Sequence, residues 1–299
     1  MPPTLVDDIV KALEQKGRVG PSASATPQAS SGGVAAKPHL SAIPDTVPEL
    51  PAAFLVRAEL LDQIKRSVLS SDGSSHAAIT SKKAKGKKSS VHGMGGVGKT
   101  TVAAALVSEK EIRSAFEKVL WVSVGQEPDI RELQASLLRQ INKQALASDV
   151  PDDQVLDDIK AAAQGMKMLL ILDDVWDARH EKPLNIIDQD TASKLLVTTR
   201  IRGIVKGAAE VDVGTLSDKE ALDLLCATAG IEVESLDEDE ETRGLMNEVV
   251  TMTGKLTLTV AIVGGMVVRR DHWLAVKHRR YCQIISQKTD KLIRVQTIV

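Results

Sequence analysis

The feature that most constrains this chain is a glycine-rich run, Gly93 to Thr100, directly before a helical pattern. It reads GMGGVGKT and matches GxxxxGK[ST] at every fixed position. Glycines let a backbone wrap tightly with its N–H groups pointing inward. The first turn of the following helix adds unpaired amides that attract an anion. The run therefore predicts a loop, Gly93–Thr101, that binds nucleotide phosphates.

We assign the whole loop to nucleotide binding, namely Gly93, Met94, Gly95, Gly96, Val97, Gly98, Lys99, Thr100 and Thr101. Lys99 is placed to reach the β- and γ-phosphates, and the Thr100 hydroxyl to ligate Mg²⁺. The alternative is a chance glycine-rich turn. A second motif further along the chain argues against it.

Strand-like and helix-like segments alternate around this loop. Short apolar runs suited to buried parallel strands are VLWVSV (119–124), MKMLLILDD (166–174) and KLLVTT (194–199), with a weaker one at 209–213. Helical patterns fall at 57–70, 100–110, 129–147 and 152–164. This alternation predicts an α/β domain with a mainly parallel sheet. KSSVHG, just before the loop, has only Val91 as an apolar residue, so we expect a frayed sheet there.

Acidic and basic side chains end two of these apolar runs. LLILDD ends in Asp173 and Asp174, at the strand edge where α/β sheets bind ligands. We expect Asp173 to hold Mg²⁺ and Asp174 to polarise an attacking water. Arg200, which ends the next run, can contact a γ-phosphate. Without the other motifs, an ordinary polar strand end would be the better explanation of Arg200, and the two aspartates would be only a weak signal.

The flanks differ in composition from this central part. Residues 4–16 fit a short helix, and 17–50, rich in proline, glycine and serine, fit a linker that cannot bury enough apolar surface to fold. After residue 215 the patterns are helical: a capping box at Ser217 and Glu220, then 239–253, 256–268 and 271–287. We predict a disordered segment over 1–50, a P-loop nucleotide-binding domain over 51–214 and a helical domain over 215–299.

Bulk composition bounds the partners and the compartment. The formal net charge is −2, which favours neither nucleic acid nor membrane as a partner. The lysine-rich stretch at 82–88 is too short to alter this and is typical of a solvated loop. Cys226 and Cys282 form no metal-type spacing and suit a reducing compartment. We expect a cytoplasmic protein.

Several segments together resemble the NB-ARC domain family of STAND-type P-loop NTPases, which includes plant disease-resistance proteins and the animal apoptosome scaffold. They are GMGGVGKTT, VLWVSVGQ, LLILDDVWD and LLVTTRIR, and the resemblance covers about residues 51–275. It implies a three-layer α/β P-loop NTPase domain, a small helical domain and a winged helix. It also implies a signalling switch that holds ADP when off and takes ATP when on, and is at most a slow ATPase.

The resemblance extends to two outlying segments. PAAFLVR looks like the family segment that packs against adenine, which implies that role for Leu55, Val56 and Arg57. Gly254–Leu258 looks like the family's GLPL motif, with Thr257 where a proline next to the nucleotide is expected. From this departure we expect looser closure on the nucleotide, and tighter ADP retention in Thr257→Pro.

The sequence ends before a winged helix or repeats would fit, and we expect a minimal module without them. Three functions stay open: a switch in defence or cell-death signalling with unidentified protein partners or self-assembly, another P-loop ATPase with turnover activity, and a nucleotide-binding fragment that no longer switches.

Overall fold

The computed structural model describes residues 40–70, 88–147, 149–233 and 240–267. The predicted helices at 4–16 and 271–287, the linker up to residue 39 and the lysine-rich stretch before Lys88 lie outside the described residues. Every described residue belongs to one unit of the chain, Pro38–Val299.

A five-stranded sheet forms the centre of the described chain. Its strands are β1 Lys88–His92, β2 Lys118–Gly125, β3 Met168–Val175, β4 Lys194–Thr199 and β5 Ala209–Asp212. They lie in the order β2-β3-β4-β1-β5, and every neighbouring pair is parallel. The carboxyl ends of all five strands therefore meet at one edge, where open α/β sheets bind ligands.

The predicted fraying at KSSVHG is wrong. β1 lies inside the sheet and pairs over its full length with β4, from Lys88 opposite Leu195 to His92 opposite Thr199. On its other side it pairs with β5. Backbone hydrogen bonds to two neighbours hold a strand whatever its side chains are. Ser90 and His92 are consequently buried although they are polar.

Helices cover both faces of the sheet. They are α1 Ala58–Leu69, α2 Lys99–Ser108, α3 Lys110–Ala115, α4 Ile130–Asn142 and α5 Asp152–Ala163. Side chains of β2 alternate between the two faces, as a strand requires. Trp121 packs in the cluster that contains Leu106 of α2. Leu120 packs in the cluster that contains Leu137 of α4 and Ile159 of α5. The predicted three-layer α/β fold is confirmed.

Two predicted helices are shorter than their sequence pattern. The pattern at 100–110 is divided by Glu109, whose extended backbone (φ −63°, ψ 129°) separates α2 from α3. The pattern at 129–147 ends at Asn142, because Lys143 takes a left-handed conformation with φ 61°. In both cases a terminating backbone conformation overrides side-chain periodicity.

The predicted linker also needs correction over its last residues. Ser41 is buried, its N–H donates to the Arg113 carbonyl at 2.9 Å, and the Arg113 Nε donates back to the Ser41 carbonyl at 2.9 Å. The Thr46 hydroxyl donates to the Trp121 carbonyl at 3.1 Å. Residues 40–50 therefore pack on the α/β part, through backbone contacts that composition does not reveal.

Three further helices follow the sheet: α6 Asp218–Ala229, α7 Glu240–Met252 and α8 Thr257–Val267. The predicted capping box is confirmed, since Ser217 and Glu220 each bond the other's backbone N–H. The three helices share a core of their own that includes Leu225, Val250 and Val260. The domain boundary at 214/215 stays a prediction. Within the described ranges, no helix is long and apolar enough to cross a membrane.

Candidate nucleotide-binding site

The glycine-rich loop connects the carboxyl end of β1 to the first turn of α2. A Cβ atom on Gly93 would lie 2.5 Å from the Val213 carbonyl oxygen, inside van der Waals contact. Gly98 is the N-cap of α2 and has φ 96°, a conformation that side chains disfavour. Both positions therefore require glycine, for close approach at Gly93 and for backbone conformation at Gly98.

Lys99 is buried beneath this loop and donates back to it. Its Nζ lies 2.8 Å from the Gly93 carbonyl oxygen and 3.0 Å from that of Met94. Burial lowers the pKa of Lys99 to about 8, and the positive charge of Arg200 adds to this effect. Asp174 and Asp173 oppose it. A phosphate beside Lys99 would supply the negative charge that its ammonium group favours.

Asp173 is 4% exposed and accepts hydrogen bonds from two threonines. The Thr100 hydroxyl donates to Oδ1 at 2.9 Å and also lies 3.1 Å from Oδ2. The Thr198 hydroxyl donates to Oδ1 at 2.5 Å. Burial raises the pKa of Asp173, and these two hydrogen bonds partly oppose the shift.

This donor set fits Mg²⁺. A carboxylate and a hydroxyl are both hard oxygen ligands, and magnesium in phosphate sites usually takes only one or two protein ligands. A buried carboxylate with a raised pKa gains most from a nearby cation, which stabilises its ionised form. The structure thus brings together Thr100 and Asp173, the two metal ligands predicted from the sequence.

Asp174 occupies an irregular position at the end of β3. Its φ is 55°, and the pairing of β3 with β4 shifts register between Leu172 and Val175. Consecutive side chains of a regular strand point to opposite faces. Here Asp173 and Asp174 both line one cavity, together with Arg200. The Asp174 Oδ1 lies 3.8 Å from the Arg200 Nε.

That cavity has a volume of about 570 Å³. Its polar lining includes the loop residues Gly95 to Thr101 together with Asp173, Asp174 and Arg200. Its apolar lining includes Phe54, Leu55, Leu216, Leu224 and Ala261. Gly93 and Met94 are not part of the lining, and Met94 is 61% exposed. Their carbonyl groups serve instead as acceptors for Lys99.

The segment assigned to adenine divides into three different environments. Leu55 lines the cavity, whereas Val56 is 59% exposed and outside the lining. Arg57 lines the cavity, and its guanidinium also bonds three residues in the stretch from Gly214 to Glu220. It donates to the Gly214 carbonyl at 3.0 Å, to the Thr215 carbonyl at 3.4 Å and to Glu220 Oε1 at 3.2 Å. The Arg57 side chain therefore ties the segment before α1 to the start of α6.

Thr257 contacts the loop directly. Its hydroxyl donates to the Val97 carbonyl at 2.9 Å, and the next residue, Leu258, donates its N–H to the Gly96 carbonyl at 2.9 Å. The first turn of α8 is thus hydrogen-bonded to two consecutive carbonyl groups of the loop. Threonine supplies a bond here that proline could not form.

Several lining residues are assigned no role of their own from the sequence, although some of them lie within the segments that carry the family resemblance. They are Pro51, Ala53, Phe54, Ser123, Val124, Gly125, Leu216, Leu224, Thr228, Leu258 and Ala261. Ser123 to Gly125 end β2, so their place at the carboxyl edge follows from the strand pattern. For Leu216, Leu224 and Ala261 no comparable signal exists, because apolar residues near a cavity look the same in the sequence as core residues.

A parallel sheet, a glycine-rich loop leading into a helix, and a buried aspartate at the end of another strand define a P-loop NTPase fold. The sequence model of the NB-ARC domain matches residues 79–235, more than half of the chain. The chain belongs to the NB-ARC family. Membership implies nucleotide binding, in agreement with the position of the cavity.

Known plant proteins are similar to this chain. Disease resistance RPP13-like protein 4 of Arabidopsis thaliana is 31% identical over 188 residues, which cover 60% of this chain and 22% of that protein. Putative disease resistance RPP13-like protein 3 of the same species is 25% identical over 223 residues, covering 70% and 26%. The chain thus spans about a quarter of the length of these relatives.

Among solved structures, a STAND protein with a tetratricopeptide repeat sensor from Pyrococcus horikoshii aligns over 72% of this chain and 30% of its own. The TM-score is 0.44 and the sequence identity 17%.

Proposed function

We propose that this chain is the nucleotide-dependent switch module of a defence-type signalling protein. It binds ADP or ATP with Mg²⁺ in the cavity between the glycine-rich loop and α8, and hydrolyses ATP slowly. The relatives that match it over this region are disease-resistance proteins, which supports the pathway class. The same proposal includes that the chain acts in the cytoplasm and signals through protein partners or through self-assembly.

The lining of the cavity supports a purine nucleotide as the ligand. Lys99 and the backbone N–H groups of the loop favour phosphates. The apolar lining around Leu55 and Leu224 suits a flat base, because transferring its faces out of water is favourable. We assign adenine to the apolar lining and the phosphates to the loop.

Mg²⁺ would be held by Thr100 and Asp173. When bound, it would neutralise charge on the β- and γ-phosphate oxygens. Asp174 then accepts the proton of an attacking water, and Arg200 contacts the γ-phosphate. Arg200 is the only one of these groups expected to distinguish ATP from ADP.

One observation carries the switch part of the proposal. The first turn of α8 donates two hydrogen bonds to the loop, from Thr257 to Val97 and from Leu258 to Gly96. A change in loop conformation upon phosphate binding therefore reaches a helix of the α6–α8 core without an intermediate contact. This direct contact supports a switch, because a switch depends on transmitting the state of the bound nucleotide to another part of the chain.

The nucleotide that copurifies with the protein tests binding. Native mass spectrometry should find ADP on the wild-type chain and none on Lys99→Ala, because the buried ammonium group is lost. Lys206→Ala, which removes an exposed lysine outside the cavity lining, is the matched control and should retain ADP. A wild-type chain that neither carries nor binds ADP, ATP or GTP in titration would refute the proposal.

Switching needs its own measurement. With ATP and Mg²⁺ the assembly size of the chain, measured by light scattering, should differ from its size with ADP. Single-turnover hydrolysis should be much slower than the rates of about 1–1000 per second that are typical of enzymes. Identical assembly sizes with both nucleotides would indicate a chain that binds nucleotide but does not switch. Fast turnover of ATP would indicate an ordinary ATPase.

A further inference from the structure

A tryptophan next to the proposed hydrolytic residues contacts both of them. The Trp176 Nε1 donates to Asp174 Oδ2 at 3.0 Å, and the Arg200 guanidinium carbon lies 4.5 Å from the centre of the Trp176 ring. Arg200 Nε lies 3.8 Å from the other oxygen of Asp174. These three side chains form a closed set, which we call the Asp174–Trp176–Arg200 group.

The backbone under this group is strained. Asp174 has φ 55°, which costs free energy for a residue with a side chain, and such strain is found mainly at functional sites. The Asp174 N–H is held by the Thr198 hydroxyl at 2.9 Å. The distorted strand end puts Asp174 beside Asp173 on the cavity and, at the same time, within reach of the indole two residues further on.

Packing alone does not explain the place of Trp176. Its side chain is only partly buried and belongs to none of the hydrophobic clusters among the described residues. Trp121 makes a useful contrast, since it is fully buried in the sheet core. What Trp176 contributes is one N–H donor and one ring face, and each of them meets a residue of the proposed reaction.

We propose that Trp176 is a positioning residue for ATP hydrolysis, an inference that rests on the proposed function. Its N–H fixes one carboxylate oxygen of Asp174 and leaves the other available for a water. An indole N–H can only donate, so Trp176 does not compete for the proton that Asp174 accepts. Before a γ-phosphate is bound, its ring face holds Arg200 through a cation–π contact next to that carboxylate.

Arg200 then has two alternative environments. Without a γ-phosphate it stacks on Trp176 and faces Asp174. A γ-phosphate offers a doubly charged partner, and charge-assisted hydrogen bonds to it outweigh a partly exposed cation–π contact. ATP should therefore draw Arg200 away from the indole, whereas ADP should leave it there.

Trp176→Phe separates the two contributions, because phenylalanine keeps a ring face but has no N–H. Single-turnover hydrolysis should slow about tenfold, the effect of a misdirected base, with ADP and ATP affinities within about twofold of wild type. Trp121→Phe removes the indole bond to Ser123, of 3.2 Å, and is the matched control, expected to keep the wild-type rate. An unchanged hydrolysis rate in Trp176→Phe would overturn the proposal. So would a loss of ADP affinity as large as the loss of rate.

A second measurement separates this inference from the proposed function. In a chain carrying Trp121→Phe and Trp273→Phe, Trp176 is the remaining tryptophan. A non-hydrolysable ATP analogue should change its fluorescence, ADP should not, and Arg200→Ala should abolish the difference. If the wild-type chain binds nucleotide without hydrolysing it, the hydrolytic part of the proposed function fails. The fluorescence of Trp176 would still show whether ATP moves Arg200 away from the indole. Equal emission with both nucleotides would overturn it.

Discussion

The polar and apolar linings of the cavity are built in different ways. The polar lining comes largely from one continuous run, Gly95 to Thr101, whose backbone N–H groups are oriented by its glycines and by α2. The apolar lining combines Leu55 with Leu216 and Leu224, residues separated by more than half of the described chain. Phosphate recognition is thus a local property of the sequence, while base recognition depends on how distant segments pack.

This difference has a consequence for mutation. A substitution in the polar lining should affect every ligand that has a phosphate, including pyrophosphate. A substitution in the apolar lining should affect only ligands that have a base. Pyrophosphate and ADP measured side by side therefore separate the two linings.

The largest effect is expected at Gly93. In Gly93→Ala the new Cβ would meet the Val213 carbonyl oxygen at 2.5 Å, so the loop must leave its path. Displacing the phosphate-binding groups by about 1 Å should lower the affinity for ADP and for pyrophosphate about 100-fold. Isothermal titration calorimetry measures both.

Gly203→Ala is the control for that substitution. Gly203 has φ 70° but no atom within 4 Å of an added Cβ, so it tests backbone strain without a collision. It should lower stability by about 1 kcal/mol and leave both affinities unchanged. Normal pyrophosphate binding by Gly93→Ala would contradict the local origin of phosphate recognition.

The next effect is a pH dependence. In the free chain the pKa of Lys99 is about 8, and a bound phosphate raises it because the negative charge stabilises the ammonium form. Binding therefore takes up a proton only where free Lys99 is neutral. The contribution of Lys99 to affinity should be constant well below pH 8, and affinity should fall above pH 8 by up to about tenfold per pH unit.

Lys99→Arg checks the assignment of this titration, since a guanidinium remains charged over the whole range. The fall above pH 8 should disappear in this variant, for pyrophosphate as for ADP. Calorimetry in buffers of different ionisation enthalpy should also show proton uptake by the wild-type chain at pH 9. A pH-independent wild-type affinity would contradict the lowered pKa of Lys99.

A smaller effect should come from the apolar lining. Leu55→Ala removes apolar surface that faces the cavity and should lower ADP affinity about five- to tenfold. Pyrophosphate affinity should not change. Val56→Ala is the matched control in the same segment, and its exposed side chain predicts no effect on either ligand. Equal losses of ADP affinity in both variants would show that this segment affects binding through the stability of the protein and not through contact with the nucleotide.

The smallest effect is expected at Thr257, where the two linings meet. Thr257→Val keeps the shape but loses the hydrogen bond to the Val97 carbonyl, so ADP release in stopped-flow should be about three- to fivefold faster. Thr257→Pro loses the same bond, and we now expect no tightening of ADP retention from it. Slower release from the proline variant would show that backbone stiffness matters more than the hydroxyl.

Much of the site follows from the sequence, and the misses have a common cause. The glycine-rich loop, Asp173, Asp174 and Arg200 are predictable because they stand at strand ends, and parallel strands bring their carboxyl ends to one edge. Trp176, by contrast, lies within the segment LLILDDVWD, but the sequence gives its side chain no role beyond ordinary packing. Its contacts depend on the left-handed backbone of Asp174, which no periodicity indicates.

The sequence by itself determined the elements whose signals are local. Glycine spacing defined the loop, apolar runs defined β2 to β4, and Ser217 with Glu220 defined the start of α6. Each signal depends on residues a few positions apart, where backbone conformation and side-chain chemistry act together.

Only the tertiary structure decided what distant segments do to one another. It placed the polar strand β1 inside the sheet, brought the two neighbouring aspartates to one cavity, and joined Thr257 to the loop. The physical reason is that these outcomes rest on backbone pairing and single hydrogen bonds between residues far apart in the chain. Such contacts leave no pattern in the order of the residues.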